Sequence, residues 1–108
     1  MAFNLAELPS AHRHFLKENH LISSEMEKGG ANRLIFLNED VTLAIMVNEE
    51  DHLRIFALEP GFQLPAVLNN LISLEQAIGQ HLEFAFSPKY GFLTACPTNT
   101  GTGLRASV

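Results

Sequence analysis

The chain predicts an α+β fold, an antiparallel β-sheet of meander and hairpin strands packed with one long helix and a short N-terminal helix. Three observations lead there. Apolar, β-rich runs at residues 33–37, 41–47 and 52–58 follow one another with short polar turns between them. Residues 64 to about 82 carry apolar side chains at the 3.6-residue spacing of a helix. The strands are sequence neighbours, and 108 residues leave room for one domain with a modest core.

In chain order, residues 9–19 predict a short helix, with Pro9 at the first turn where its missing N–H does no harm. Leu8, Ala11, Phe15 and Leu16 give it a weak apolar stripe. Glu27-Lys28-Gly29-Gly30 reads as a loop. Asn38-Glu39-Asp40 turns the first two strands into a hairpin, and the acidic segment after Val47 connects the second strand to the third. Glu59-Pro60-Gly61 ends that meander. The long helix places Leu64, Val67, Leu68, Leu71, Ile78 and Leu82 on one face, with Pro65 near its start. Gly79 weakens its end by roughly 1 kcal/mol relative to alanine. Residues 83–86 and 92–96 predict a further hairpin around Ser87-Pro88-Lys89-Tyr90-Gly91, with the second strand ending at Cys96 because Pro97 lacks a donor. Residues 104–108 read as the opening of a strand with no turn or cap after it, so the sequence is expected to be a piece of a larger domain.

Composition narrows the function classes. The net charge of −5 argues against nucleic acid, which demands a basic stripe. No apolar run approaches the ~20 residues that span a bilayer, and the first residues lack the basic start and apolar stretch of a signal peptide. One cysteine excludes an internal disulfide, so the expected location is cytoplasmic, with no membrane partner. Among five histidines, His12 and His14 fall on different helix faces, while His20, His52 and His81 show no ligand spacing with Cys96. No metal site of the chain's own is expected.

Two motifs remain. The first is Asn48-Glu49-Glu50-Asp51-His52-Leu53-Arg54. Three acids on a turn are ordinarily a solvated hairpin tip, but paired carboxylates also match the N–H fork of a guanidinium. Glu50 and Arg54 are an even step apart, so both would project from one face if the strand begins early enough. The second is Cys96-Pro97-Thr98-Asn99-Thr100-Gly101-Thr102-Gly103-Leu104-Arg105. A lone cysteine is usually an inert buried hydrophobe. Here Thr98 and nearby backbone N–H groups would come close to the sulfur, and Arg105 could meet phosphates. The glycine-rich part lacks the Gly-Lys-Ser/Thr ending of a Walker loop.

Together the two motifs resemble the signatures of the ATP:guanido phosphotransferases, the family of creatine kinase, arginine kinase and bacterial protein-arginine kinase. The resemblance runs from about Leu16 to Val108. His20-Leu21-Ile22-Ser23, Ile45-Met46-Val47 and Gly61-Phe62-Gln63-Leu64 look like the bacterial branch. The small-molecule enzymes usually carry a tryptophan before the acidic motif, and this chain has none.

The resemblance implies a partial catalytic domain over 1–108 that transfers the ATP γ-phosphoryl group to a guanidino group, with Mg²⁺ carried by the nucleotide. Glu50 would hold the guanidinium and take its proton, with Glu49 beside it, and Cys96 would be the reactive thiolate. His20, Arg54, Arg105, Ala106, Ser107 and Val108 would bind the nucleotide. The family's other arginines, in an N-terminal segment and in a later arginine-glycine motif, are missing, so the isolated chain is expected to have little or no activity. Three readings stay open: a kinase acting on protein arginine, a kinase for free arginine or another small guanidine, and a non-catalytic interaction module. Oligomerisation also stays open.

Overall fold

Asn38 makes the first hairpin turn by caging it: its side-chain oxygen accepts from the Thr42 and Leu43 amides at 2.9 and 2.8 Å. The strands on either side, β2 (Leu34–Leu37) and β3 (Leu43–Val47), pair antiparallel with Leu37 opposite Ala44 and Ile35 opposite Met46. This computed structural model describes residues 1–107. Val108, expected at the nucleotide site, lies outside the described residues. Two compact units result, residues 1–58 and the chain from Glu59 onward.

In the first unit, β1 (Ala2–Asn4) and β4 (Leu53–Ala57) complete an antiparallel sheet in the order β1-β2-β3-β4. The sequence reading lacks β1. Three residues are too few to show a period, and their extended form comes from pairing with residues 34–36. The backbone is continued by the Leu37 amide donating to the Met1 carbonyl at 2.8 Å.

The core lies on one face of this sheet. Ile35, Leu37, Ala44 and Met46 are buried there with Leu5, Leu16, Leu21, Ile22 and Met26. Leu16 comes from α1 (Ser10–Glu18) and Met26 from α2 (Ser24–Glu27). Burying each of these leucine, isoleucine and methionine side chains stabilises by roughly 1.5–3 kcal/mol. Pro9 lies just outside α1 as its N-cap rather than in its first turn. The short α2 extends into the segment read as loop. Its cap is Ser23, whose hydroxyl accepts from the Met26 amide at 3.2 Å.

The second unit holds α3 (Leu64–Gly79), with Pro65 in its first turn. The helix ends at Gly79, short of the expected Leu82, and residues 80–82 follow as a turn bonded back to Ile78. The next hairpin is also shorter than expected, β5 (Phe86–Ser87) with β6 (Gly91–Phe92). The Leu93 amide still donates to the Ala85 carbonyl at 2.8 Å, and on the other edge of β6 Phe92 exchanges both backbone hydrogen bonds with Gly101, at 2.8 and 3.1 Å, closing a loop that carries Cys96. Phe92 also meets Phe84 and Phe86 edge-to-face, with centroids 6.1 and 5.2 Å apart. Residues 104–107 are irregular where a strand was expected. No other strand pairs with them among the described residues, and an extended segment needs a partner to become one. Among the described residues, no helix is long and apolar enough to cross a membrane.

Candidate active site

The acidic motif forms the β3–β4 connection. Asn48 takes the left-handed conformation, φ +58°, which asparagine tolerates better than most residues, and its amide donates to the His52 carbonyl at 3.0 Å. Its side chain donates to the Asn32 carbonyl at 2.7 Å. The strand resumes at Leu53, so Glu50 stays in the turn, and the even step to Arg54 sets no common face. That expectation fails because alternation applies only where the backbone is extended.

The structure pairs Arg54 with the neighbouring acid instead. The β3–β4 register puts Arg54 opposite Met46, on the core-bearing face at the sheet's end. From there its Nη1 donates to Glu49 Oε1 at 3.2 Å. The Glu49 side chain is only 8% exposed. Burial alone would push its carboxyl up. Hydrogen bonds from the Ser23 hydroxyl and the Glu50 amide, with the charge of Arg54, outweigh burial and hold it below the usual range. One of two adjacent carboxylates is therefore fixed and neutralised.

The other is open. Glu50 is exposed, and its carboxylate has no hydrogen bond or ion pair among the described residues. It lines an open cavity of about 440 Å³ with Glu25, Arg33 and Glu49. Lys28 and Arg33 pair with Glu25 and Arg54 with Glu49, which leaves Glu50 as the lining carboxylate without a cation among the described residues. Glu25 and Arg33 escape sequence reading, because they lie outside the motif and enter only through the fold. Arg54 is 45% exposed, and among the described residues Nη1 is the side-chain nitrogen engaged. His20 sits at the exit of α1 with φ +59° and an exposed side chain.

In the second unit, Cys96 caps a 3₁₀ turn, Pro97–Asn99, whose last amide donates back to the Cys96 carbonyl at 3.0 Å. The thiol is half-buried, 2.9 Å from the Thr98 hydroxyl. Two threonines shape the loop around it. Thr94 donates to the Cys96 carbonyl at 2.7 Å, and its hydroxyl lies 3.1 Å from that of Thr100. The sequence reading missed Thr94 and missed this role for Thr100, since only loop closure brings the pair together. The Phe92–Gly101 bridge closes the loop. Beyond it, Arg105, Ala106 and Ser107 are exposed. No group of three or more His, Cys, Asp or Glu is gathered to hold a metal among the described residues.

Residues 1–108 match the family model for ATP:guanido phosphotransferase, C-terminal catalytic domain. The chain belongs to this family. It is 49% identical to the protein-arginine kinase of Halothermothrix orenii over 102 residues, covering 94% of this chain and 29% of that one. Against the protein-arginine kinase of Symbiobacterium thermophilum it is 46% identical over 106 residues, covering 98% and 30%. The chain thus spans a little under a third of the length of these curated relatives.

Among solved structures, the duplicated taurocyamine kinase of Schistosoma mansoni with bound transition-state-analogue components matches with a TM-score of 0.85 and 36% identity. That match covers 94% of this chain and 16% of that one. Lombricine kinase matches with a TM-score of 0.75 and 25% identity, covering 95% and 33%. The expected α+β class with an antiparallel sheet is the class of this guanido phosphotransferase domain.

Proposed function

We propose that this chain carries part of the reaction centre of a kinase that transfers the ATP γ-phosphoryl group to a guanidino nitrogen of protein arginine. The observation that carries the reading is the division of labour between two adjacent acids. The Glu49 side chain is largely buried and paired with Arg54, while the exposed Glu50 carboxylate has no partner among the described residues and lines an open cavity. Two carboxylates that served only as a hairpin tip would both face water.

In the reaction, a guanidino nitrogen attacks the γ-phosphorus. The N–P bond forms, the bond from phosphorus to the ADP oxygen breaks, and a guanidinium proton leaves. Glu50 holds the cation by charge and hydrogen bonding and accepts that proton. Cys96, its sulfur 2.9 Å from the Thr98 hydroxyl, would as a thiolate be a second negative partner for the guanidinium. Arg54 keeps Glu49 charged through one nitrogen and turns its remaining donors to phosphate. Arg105, with Ala106, Ser107 and Val108, and His20 complete the nucleotide contacts. Mg²⁺ carried by the nucleotide would offset phosphate charge. Alignment and charge neutralisation are what such a transfer mainly requires.

Protein arginine is favoured over a small guanidine by the 46–49% identity to bacterial protein-arginine kinases, against 36% and 25% for the taurocyamine and lombricine kinases. The test is an amide-resolved NMR titration of the chain, first with Mg·ADP, then with an arginine peptide or free arginine. Expected are nucleotide shifts at His20, Arg54 and Arg105 and peptide-induced shifts at Glu49 and Glu50. Dispersed spectra indifferent to both ligands would reject the reading for this chain. A response to free arginine but not to the peptide would move the substrate class to small guanidines.

A further inference from the structure

We infer that Arg33 is a positioning residue for the Glu49 carboxylate, and through it for the acidic turn, holding the peptide plane that carries the Glu49 Cα. This rests on the functional reading above and extends it to a residue outside both motifs. Arg33 Nε donates to the Asn48 carbonyl at 3.1 Å. That carbonyl belongs to the peptide joining Asn48 to Glu49, and a planar peptide fixed at its oxygen fixes the Cα of Glu49 as well. Asn48 is held in turn through its side chain by the carbonyl of Asn32, the residue before Arg33. Two consecutive residues therefore grip the turn at its root.

The other end of the guanidinium grips the segment that supports Glu49 from the far side. Nη1 donates to the carbonyls of Glu25 and Gly29 at 2.6 and 3.0 Å, and Nη2 to Glu25 Oε1 at 3.3 Å. This segment begins with the Ser23 cap, whose hydroxyl donates to Glu49. One side chain thus ties the acidic turn to the helix cap that serves the same carboxylate. Four of the five N–H donors of a guanidinium are occupied in doing so. Arg33 lines the cavity but has little left to offer a phosphate. Lysine, with a point charge and no fork, cannot reproduce this set.

The test compares the 108-residue chain with Arg33→Ala and Arg33→Lys by NMR, using N-acetylarginine methylamide as the guanidinium probe. Side-chain carboxyl titrations of Glu49 and Glu27 are followed in parallel. Glu27 is the internal control, since Lys17 and His14 hold its carboxyl down independently of Arg33.

Expected in Arg33→Ala are dispersed Ile35 and Met46 methyl signals, an upward move of the Glu49 titration alone, and probe binding weakened tenfold or more. Arg33→Lys should fall between. A Glu49 titration that stays put, or one that moves together with Glu27, overturns the inference. If Arg33→Ala unfolds, Arg33→Lys decides by the same criteria. If both unfold, Arg33 is a residue of the fold and the inference is overturned. Should the unsubstituted chain ignore the probe while Glu49 still shifts alone in the variants, Arg33 keeps its positioning role and the guanidinium-binding reading falls.

Discussion

Gly91→Ala should open the Cys96 loop, and the cost can be worked from two separate sources. Gly91 has φ +82°, where an L residue is disfavoured by about 1–2 kcal/mol. A Cβ built there would stand 2.4 Å from the Gly101 carbonyl oxygen and 2.8 Å from the Gly101 carbonyl carbon and Cα. Those are backbone atoms, which cannot rotate away, and such overpacking costs about 1–3 kcal/mol more. The expected loss is therefore about 2–5 kcal/mol.

Gly61→Ala isolates the first source, because Gly61 has φ +76° and nothing within 4 Å of its Cβ position. Urea unfolding of both variants, followed by Phe92 and Tyr90 resonances, gives the difference directly. With a urea slope of about 1–3 kcal/mol/M, a 3 kcal/mol loss lowers the midpoint by about 1–3 M. Relief of the clash by separating Gly91 from Gly101 would break the Phe92–Gly101 bridge. Cys96 should then react faster with iodoacetamide in Gly91→Ala than in Gly61→Ala. Equal midpoints and equal alkylation rates in the two variants would refute the close approach as the closure of the loop.

Two further outcomes follow from the site. Glu49 has a folded pKa below its unfolded value, so its contribution to stability is present above the ordinary carboxylate range and is lost as pH falls through the folded value. Glu49→Gln should lower the urea midpoint at pH 7, and the difference should shrink as pH falls through the folded pKa of Glu49. A pH-independent difference would mean that packing, and not charge, is what Glu49 contributes. Thr98→Val removes the hydroxyl 2.9 Å from Cys96 Sγ while keeping the shape. Alkylation of Cys96 at neutral pH should slow about three- to tenfold, since hydrogen bonds to a charged group are worth about 1.5–3 kcal/mol and some of this is recovered from water. An unchanged rate would leave the thiol without this partner in solution.

Much of the fold was legible because it is local. The strands around Asn38 and the two longer helices each carry their own period and punctuation, so β2, β3, β4, α1 and α3 fall where their residues predict, within a few positions. The exceptions share a cause. β1 and α2 are too short to carry a period, and the pairing of Phe92 with Gly101, nine residues on, has no local pattern to announce it. The acidic and cysteine motifs were equally legible as residue patterns.

What the linear pattern by itself determined was therefore the element types, the family and the two chemical signatures. Tertiary structure alone decided how the acids differ. The β3–β4 register sets Arg54 opposite Met46 and within reach of Glu49, while α2 and Arg33 approach from segments more than a dozen residues away. A carboxylate's environment depends on what surrounds it in space, and identical neighbours in sequence can be buried and paired or exposed and open. Glu49 and Glu50 differ for that reason.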